Sequence, residues 1–356
     1  MNKTMKHSII LTILLLSVSC TKKNGDKKVE FNRFPQTESI KGEKPDMEGQ
    51  PLKLYDIEIK DSLIIVYDHY RKDKRLFIFN SNNFTLLESS GKIGKGPKEL
   101  TIPYTIDLDK KNNIIWVGDR GKQKIFGFSL DSILMSGKDL PQHEIQIDKK
   151  TASRFNKIRK YNDSTFAIAI GQPELIQLIN FRNNRITKLG ELPEKRKERE
   201  PEFGFEWLWA RDIRILDNND ILVSFTNFDK IMRTDSMGNV EFLTTGPDEI
   251  EQKREYVGTH WKQRMNYKRG YGPCYEHNNK IYCLYSGENF AMIDENHDLR
   301  QQYYKKIAVF NSEGEPLKQY NLDHEIKDFA IDSINNRAIG ISVEENEPFI
   351  IYSIFQ

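Results

Sequence analysis

The stretch Lys111-Asn112-Asn113-Ile114-Ile115-Trp116-Val117 joins a polar turn to a short run of β-branched and aromatic residues. Asparagines between two such runs are typical of a β-hairpin. The pattern occurs six times, and its last turn residues are Ser62, Asn113, Ser164, Asp220, Lys280 and Arg337. The successive spacings are 51, 51, 56, 60 and 57 residues. Repeats of this size that are built from strands and turns predict the blades of a propeller.

A third strand and a second turn follow each of the first five hairpins. In the first repeat, for example, the strand Arg75–Phe79 runs into the polar turn Asn80–Asn83. We therefore predict an all-β fold, a six-bladed β-propeller with four-stranded antiparallel blades. An open stack of six units is the disfavoured alternative, because closure of the ring protects sheet edges that would otherwise aggregate.

The sixth repeat ends with its third strand, Phe349–Phe355, which is followed only by Gln356. The outer strand of this last blade must then come from the N-terminal region. We expect that strand within Val29–Gly42, at Glu38–Gly42, so that the start of the mature chain fastens the ring. Residues 29–356 would form a single propeller domain.

The first residues have the features of a secretion signal. Lys3 and Lys6 precede the apolar run Ile9–Leu16, which is shorter than the roughly 20 residues that span a bilayer. Residues 1–19 are therefore predicted to be a signal peptide. Small residues before Cys20 resemble a bacterial lipobox, so we expect Cys20 to be lipidated and residues 20–28 to form a flexible tether. The alternative is an ordinary signal peptide cleaved near Ser19.

Cys274 and Cys283 lie at equal distances from the predicted turn Asn278-Asn279. The hairpin register therefore places them opposite each other, and a non-hydrogen-bonded pair has Cα atoms about 4.5 Å apart, close to disulfide reach. Because exported compartments are oxidising, we expect a disulfide. Two buried free thiols are the alternative.

The composition excludes some classes of function. Among 356 residues, 54 basic and 52 acidic side chains leave a net charge of only +2, which argues against a nucleic-acid partner. The histidines have no metal-ligand spacing such as HExxH, and no GxSxG nucleophile motif occurs. We expect a monomer with no metal and no cofactor, and a binding protein rather than an enzyme.

Long connections should cluster on one face of the propeller. Turns from first to second and from third to fourth strands share one face, and these are predicted to be uniformly tight. The long insertions Leu189–Glu206, Thr244–Gly272 and Ser286–Tyr304 fall in the other set of connections. Loops longer than the structure needs usually carry binding residues, so this face is the predicted binding face.

Two segments on that face supply candidate ligand-binding residues. Asp248–Tyr267 has a helix-compatible composition, and here Trp261 and Arg264, with Arg269 just beyond, could stack on a sugar or clamp a carboxylate or peptide. The alternative is a short helix packed on the propeller. The innermost strand of the fourth blade should begin near Trp207, with the side chains of Trp207, Trp209 and Arg211 on one face. Packing of these tryptophans between blades is almost equally favoured.

Two more candidates follow second strands of early blades. His69, in His69-Tyr70-Arg71, and Arg120, in Asp119-Arg120, lie in loops that lead to the third strand. Such loops surround one mouth of the central channel, so the two residues could meet there.

The repeat pattern now allows a comparison with known families. The lipobox-like end of the leader, the segment Ile40–Lys44, the first hairpin and above all Gly91–Leu100 (GKIGKGPKEL) resemble the TolB-like six-bladed propeller lipoproteins of Bacteroidetes. The resemblance implies a cell-envelope protein with no established chemistry and no catalytic residue that could be assigned here.

Two function classes remain. The first is a lipid-anchored binding or scaffolding module for an envelope protein, a peptide or a glycan, with the lipid anchor as its membrane contact. The second is a hydrolase or lyase at the channel mouth. Thr21-Lys22-Lys23 lacks an acidic export cluster. We therefore expect an outer-membrane lipoprotein on the periplasmic side.

Overall fold

The computed structural model describes residues 27–47, 52–153, 155–170, 175–190, 210–248, 250, 254–257, 260–263, 268–293 and 299–354. The predicted signal peptide and Cys20 lie outside these ranges. Lys27 and Lys28, which were expected to end the tether, instead begin the first strand of the chain.

The first half of the chain forms an N-terminal arm and three blades. The arm contains β1 (Lys27–Glu30) and β2 (Thr37–Ile40). Blade one consists of β3 (Leu54–Lys60), β4 (Leu63–Asp68), β5 (Lys74–Asn80) and β6 (Leu86–Lys92). Blade two consists of β7 (Pro103–Asp109), β8 (Ile114–Asp119), β9 (Lys124–Ser129) and β10 (His143–Gln146), with helix α1 (Leu130–Ser136) between β9 and β10. Blade three follows helix α2 (Lys149–Ala152) and consists of β11 (Phe155–Asn162), β12 (Thr165–Ile170), β13 (Ile176–Asn180) and β14 (Arg185–Leu189).

The second half forms three further blades and two inserted hairpins. Blade four consists of β15 (Ala210–Ile215), β16 (Ile221–Phe225), β17 (Lys230–Thr234) and β18 (Val240–Thr245), and is followed by the hairpin of β19 (Arg254–Val257) and β20 (His260–Gln263). Blade five contains β21 (Tyr271–His277), β22 (Lys280–Tyr285), the inserted hairpin of β23 (Ala291–Ile293) and β24 (Leu299–Gln301), β25 (Tyr304–Asn311) and the start of β26 (Pro316–Asp332). The end of β26 forms blade six with β27 (Arg337–Ser342) and β28 (Phe349–Tyr352).

The six repeated hairpins join the first and second strands of the six blades, as the sequence predicts. Five of these turns use asparagine or aspartate in the left-handed region, where these side chains are tolerated best. The φ angle is 51° at Asp61, 55° at Asn113 and 50° at Asn336. In blade five both Asn278 (49°) and Asn279 (57°) are left-handed, which matches a two-residue hairpin turn.

The blades form a closed ring. Each innermost strand packs against the innermost strand of the next blade, and β26 of blade six packs against β3 of blade one. Apolar side chains fill the space between these two blades, where the rings of Phe79 and Phe349 meet edge to face with centroids 5.4 Å apart. The predicted six-bladed propeller is therefore confirmed, and the open stack is wrong.

The N-terminal arm completes the last blade, but through a different residue from the one predicted. Glu43 forms an antiparallel bridge with Ile351 of β28, through hydrogen bonds of 2.9 and 2.8 Å. The range Glu38–Gly42 was wrong, because β2 instead pairs in parallel with β26 on the outer edge of blade five. The arm also covers blade four, where β1 pairs in parallel with β18. It therefore protects three neighbouring sheet edges.

The predicted register of the fifth hairpin is found. His277 faces Lys280, and Cys274 faces Cys283 with their Cα atoms 4.0 Å apart. A disulfide joins the two cysteines in the structure. It lies in the apolar cluster between blades four and five, in which Tyr271 and Phe310 are also buried.

Two expectations about the connections were wrong. The third-to-fourth connection of blade two is not a tight turn, since it contains α1, capped by the Ser129 side chain and by left-handed Gly137. The insertion Asp248–Tyr267 contains the β19–β20 hairpin rather than a helix. Tyr256, Val257 and Trp261 favour strands, and this preference prevails there.

Candidate functional site

A shift of register occurs at the same place in every innermost strand. It lies between Leu54 and Asp56 in β3, and five equivalent shifts lie in β7, β11, β15, β21 and β26. Such β-bulges re-aim the side chains that follow them. The residues after the shift include Asp56, Lys157, Asp212 and Asp328.

These residues and their neighbours on the same strands form a buried group, here called the channel cluster. Its members are Asp56, Glu58, Asp107, Lys157, Arg159, Asp212, Arg214 and Asp328. Glu58 of blade one and Arg214 of blade four pair at 2.7 Å, although these blades are opposite each other in a ring of six. Asp56 of blade one pairs with Lys157 of blade three at 2.5 Å. Only side chains that point into the central channel can make such pairs.

Arg159 contacts three carboxylates of the channel cluster. Its guanidinium lies 3.1 Å from Asp212, 3.7 Å from Asp107 and 3.9 Å from Glu58. It also donates to the backbone carbonyls of Ile106 and Ile213. Its side chain is only 3% exposed. The channel at this level is therefore filled by ion pairs.

Burial sets the protonation of the carboxylates in this cluster. It raises the pKa of Asp328 to about 8, an effect that Asp56 and Asp212 strengthen and Lys157 opposes. Burial likewise raises the pKa of Asp107 to about 6. Burial also acts to raise the pKa of Asp56, but the Lys157 ammonium outweighs it and holds that pKa below the ordinary value. At neutral pH the Asp328 carboxyl is therefore mainly protonated.

Above the channel cluster, on the loop-rich face, lies a group of rings and cations that we call the mouth platform. Its members come from blades one, two, five and six and are Tyr55, His69, Tyr70, Tyr104, Arg120, Tyr303 and Lys327. Tyr70 is 58% exposed and Tyr104 is 37% exposed. The platform therefore offers aromatic surface to solvent beside the channel mouth.

His69 connects the two halves of the platform. Its ring centroid lies 5.3 Å from that of Tyr55 and 6.4 Å from that of Tyr104. The hydroxyl of buried Tyr67 lies 3.0 Å from its Nδ1 atom and fixes the ring. Burial and the positive charge of Arg75 lower the pKa of His69. The imidazole is therefore mainly neutral at pH 7.

Arg120 supports the exposed ring of Tyr104. Its guanidinium carbon lies 3.4 Å from the Tyr104 ring centroid, a stacking contact. Nε and Nη2 of Arg120 donate to the carbonyl of Phe155, whose ring packs under Tyr104. Arg120 is thereby held in one conformation and orients Tyr104.

Lys327 occupies the other end of the platform, between two tyrosines. Its Nζ lies 5.6 Å from the ring centroid of Tyr55 and 5.9 Å from that of Tyr303. Burial lowers its pKa, while Glu345 opposes this effect. Glu345 itself pairs with Lys53 at 2.9 Å. In the described part of the chain, Lys327 makes neither an ion pair nor a hydrogen bond through its amine.

The structure brings three of the eight predicted ligand-binding residues to this region. His69 and Arg120 belong to the platform, and buried Arg269 packs behind it, with its guanidinium carbon 5.3 Å from the Tyr303 ring. Trp207, Trp209 and Arg264 lie outside the described residues. Arg211 lies in β15 and Trp261 in β20, and their side chains are outside the described part.

Five members of the platform were not among the candidates from the sequence, namely Tyr55, Tyr70, Tyr104, Tyr303 and Lys327. Tyr55 and Tyr104 each lie one residue after the start of an innermost strand, and Lys327 lies at the bulge of β26. A comparison of equivalent positions in the repeats could have found the two tyrosines. The same comparison could have found Lys327, which lies at the equivalent position of β26. Tyr303 has no such signal, because it reaches the platform through tertiary contacts.

Neither a metal nor a membrane span is indicated by the described residues. They contain no group of three or more His, Cys, Asp or Glu side chains arranged to hold a metal ion. None of their helices has the length and apolar character needed to cross a bilayer.

Comparison with solved structures gives relatives of the same fold at low sequence identity. A member of the DUF4221 family from Bacteroides vulgatus is 9% identical with a TM-score of 0.55, over 90% of this chain and 96% of that one. An inferred exported protein from Bacteroides fragilis is 10% identical with a TM-score of 0.51, over 92% and 98% of the two chains. Virginiamycin B lyase from Staphylococcus aureus, in a catalytically inactive form with quinupristin, is 11% identical with a TM-score of 0.51, over 89% and 100%. At these identities the likeness shows the fold alone.

Comparison with sequences gives the family. Curated proteins contain no significant match to this chain. The model of the family described as TolB-like 6-blade propeller-like matches residues 52–334, most of the chain. Six blades in a closed ring agree with that match. The chain therefore belongs to the TolB-like six-bladed propeller family.

Proposed function

We propose that this protein is a lipid-anchored envelope module that binds a protein, peptide or glycan through the mouth platform. The observation that carries the proposal is the partly exposed set of rings and cations at the channel mouth, on the face with the long connections. Exposed tyrosines supply large, rigid contact surfaces with hydroxyls at their edges, which suits recognition.

The path of the N-terminal arm supports this orientation of the molecule. β1 runs parallel to β18, so Lys27 lies near the tight-turn end of blade four and Glu30 near the loop-rich end. Lys27 also pairs with Glu313 and Glu315 in a tight turn of blade five. Seven residues from Cys20 reach at most about 25 Å. A lipid on Cys20 would therefore hold the tight-turn face toward the membrane and present the platform away from it.

The hydrolase or lyase alternative is weaker. The channel cluster contains five carboxyl groups, but Asp56, Glu58, Asp107 and Asp212 are buried and ion-paired there. A substrate above the mouth would reach the platform before it reached these groups. We therefore favour binding by a monomer. We expect its lipid anchor to lie in the outer membrane, with the propeller on the periplasmic side.

The proposal is tested by affinity capture from detergent-solubilised envelopes of the native host with the full-length protein. Tyr70→Ala and Tyr104→Ala should reduce recovery of a specific partner at least tenfold. Met237→Ala and Ile334→Ala are matched controls, because these exposed apolar residues lie in turns of the opposite face. Equal recovery with all four variants would refute the role of the platform.

A further inference from the structure

Lys327 has an arrangement that the general binding proposal does not explain. It is a half-buried cation flanked by the rings of Tyr55 and Tyr303. Glu345, the acidic group that most favours its charged form, is already paired with Lys53. Desolvation of an ammonium is costly unless an anion compensates it. The site therefore holds positive charge that a bound anion would stabilise.

The groups around Lys327 determine which kind of anion could bind there. Tyr55 is close to both Tyr70 and Tyr303, and its centroid lies 6.4 Å from that of Tyr70. Burial and then these two phenols raise the pKa of Tyr55, so its hydroxyl stays a neutral donor and acceptor. The amine thus lies near two ring faces, and the Tyr55 ring carries a neutral hydroxyl.

A second region of the platform extends the same chemistry. From Lys327 the rings continue through Tyr55 and His69 to Tyr104, which Arg120 backs. His69 has a lowered pKa and adds no full charge near neutrality. Ring surfaces that lead to a cation with no ion pair among the described residues suit a chain of sugar rings that carries a carboxylate, since the sugar rings can stack and the acid can pair.

We propose that the mouth platform takes an acidic oligosaccharide, with a uronate carboxylate paired to the Lys327 amine and its pyranose ring against Tyr55 or Tyr303. This inference rests on the proposed function and specifies its ligand class. A peptide would use the same surface differently, because it offers fewer faces for stacking along its length. It is therefore the competing outcome of the test.

The test is calorimetric titration of the full-length protein with an oligogalacturonate, with the same oligomer after reduction of its carboxyl groups, and with an acidic peptide. The oligogalacturonate should bind, and the reduced oligomer should bind at least tenfold more weakly. Lys327→Met keeps the length and apolar stem but removes the charge. This variant should bind the oligogalacturonate about tenfold to a hundredfold more weakly, as expected for the loss of one charge-assisted hydrogen bond. Lys280→Met, on a tight turn of the opposite face, is the control.

Each contrary result has a defined meaning. Equal binding of both oligomers, or unchanged affinity in Lys327→Met, overturns the carboxylate assignment. Binding of the acidic peptide alone overturns the saccharide class and leaves the proposed binding function standing. Binding of none of the three also overturns the inference, whereas the proposed function is then judged by the affinity capture. Matching thermal melts exclude misfolding of the variant as the cause of any loss.

Discussion

Glu58 and Arg214 face each other across the central channel, with Oε1 and Nη1 only 2.7 Å apart, from blades that are farthest apart in the ring. Arg214 also stacks on the Tyr275 ring at 3.8 Å and donates to the carbonyl of Cys274. One side chain thus joins blades one, four and five at the axis. The ion pairs of the channel cluster therefore tie together elements that share no strand pairing.

Removal of one partner should be costly. Arg214→Met leaves the Glu58 carboxylate buried, with Arg159 3.9 Å away as its remaining ion-pair partner. We expect a loss of about 3–5 kcal/mol in the free energy of unfolding, measured by urea titration. The double variant Glu58→Gln/Arg214→Met should recover more than half of that loss, because no unpaired charge remains.

An exposed ion pair provides the control for that experiment. Lys111 and Asp163 lie 3.8 Å apart with side chains 78% and 69% exposed. Lys111→Met should therefore change stability by about 0.5 kcal/mol or less. If Arg214→Met were as mild as Lys111→Met, the channel pair would have no structural importance.

Because the pKa of Asp328 is raised, the free energy of unfolding should decrease as the pH rises. In the unfolded chain its pKa is near 3.8, and in the folded protein it is about 8, so the folded state binds the proton more tightly. This contribution is fully present below pH 3.8 and is lost as pH rises through 8. The side chain of Asp328→Asn cannot ionise, so this variant does not lose stability in that way. Its melting temperature should exceed that of the wild type by about 2 °C or more at pH 8.

The pH dependence distinguishes this effect from a general gain in packing. The advantage of Asp328→Asn should shrink steadily as the pH of the melt is lowered from 8 to 4. Asp163→Asn, at an exposed turn, should leave the slope unchanged. An advantage for Asp328→Asn that is constant across this range would contradict the assigned protonation.

The cross-strand disulfide should stabilise the fifth blade. Cys274 and Cys283 close a loop with a sequence separation of 9. Loop-closure entropy predicts that Cys274→Ala/Cys283→Ala lowers the free energy of unfolding by about 2–3 kcal/mol. A reducing agent should lower the stability of the wild type similarly and leave the variant unaffected, whereas equal sensitivity of both would argue against the bond.

The N-terminal arm should require glycine where it reaches blade six. A Cβ at Gly42 would lie 2.3 Å from Cγ2 of Ile350 and 2.8 Å from the Tyr352 ring. Gly42→Val should therefore cost about 1–3 kcal/mol through overpacking, measured by thermal or chemical denaturation. Lys41→Val, at the exposed neighbouring position, is the matched control and should be near neutral. Equal effects would show that the arm does not pack against this edge.

The repeated hairpins were predictable because their signal is local. Asn113 and Asn336 adopt left-handed turns that few other residues tolerate, and strand-forming residues follow at once. The pairing register of Cys274 and Cys283 followed from the turn by simple alternation. The strand of the arm was harder to place, since the arm contacts the edges of both blade five and blade six and nothing local in Glu38 distinguishes them.

The channel cluster and the mouth platform depend on non-local geometry. The bulge before Asp56 decides which residues of β3 enter the channel, and it exists only in the paired sheet. Lys327 reaches Tyr303 from another blade, so no spacing in the sequence connects them. Repeats and turns therefore predicted the architecture and the loop-rich face, while most of the residues that line the mouth emerged only from the assembled ring.

Photo-crosslinking in intact cells can show whether the mouth platform binds a ligand. The photoreactive residue p-benzoylphenylalanine would replace Tyr70 on the mouth platform in one strain and Met237 on the opposite face in another. We expect a discrete ligand adduct from position 70, detected by mass spectrometry, and none from position 237. The same adducts from both positions, or an adduct from position 237 alone, would contradict the claim that the mouth platform is the binding surface.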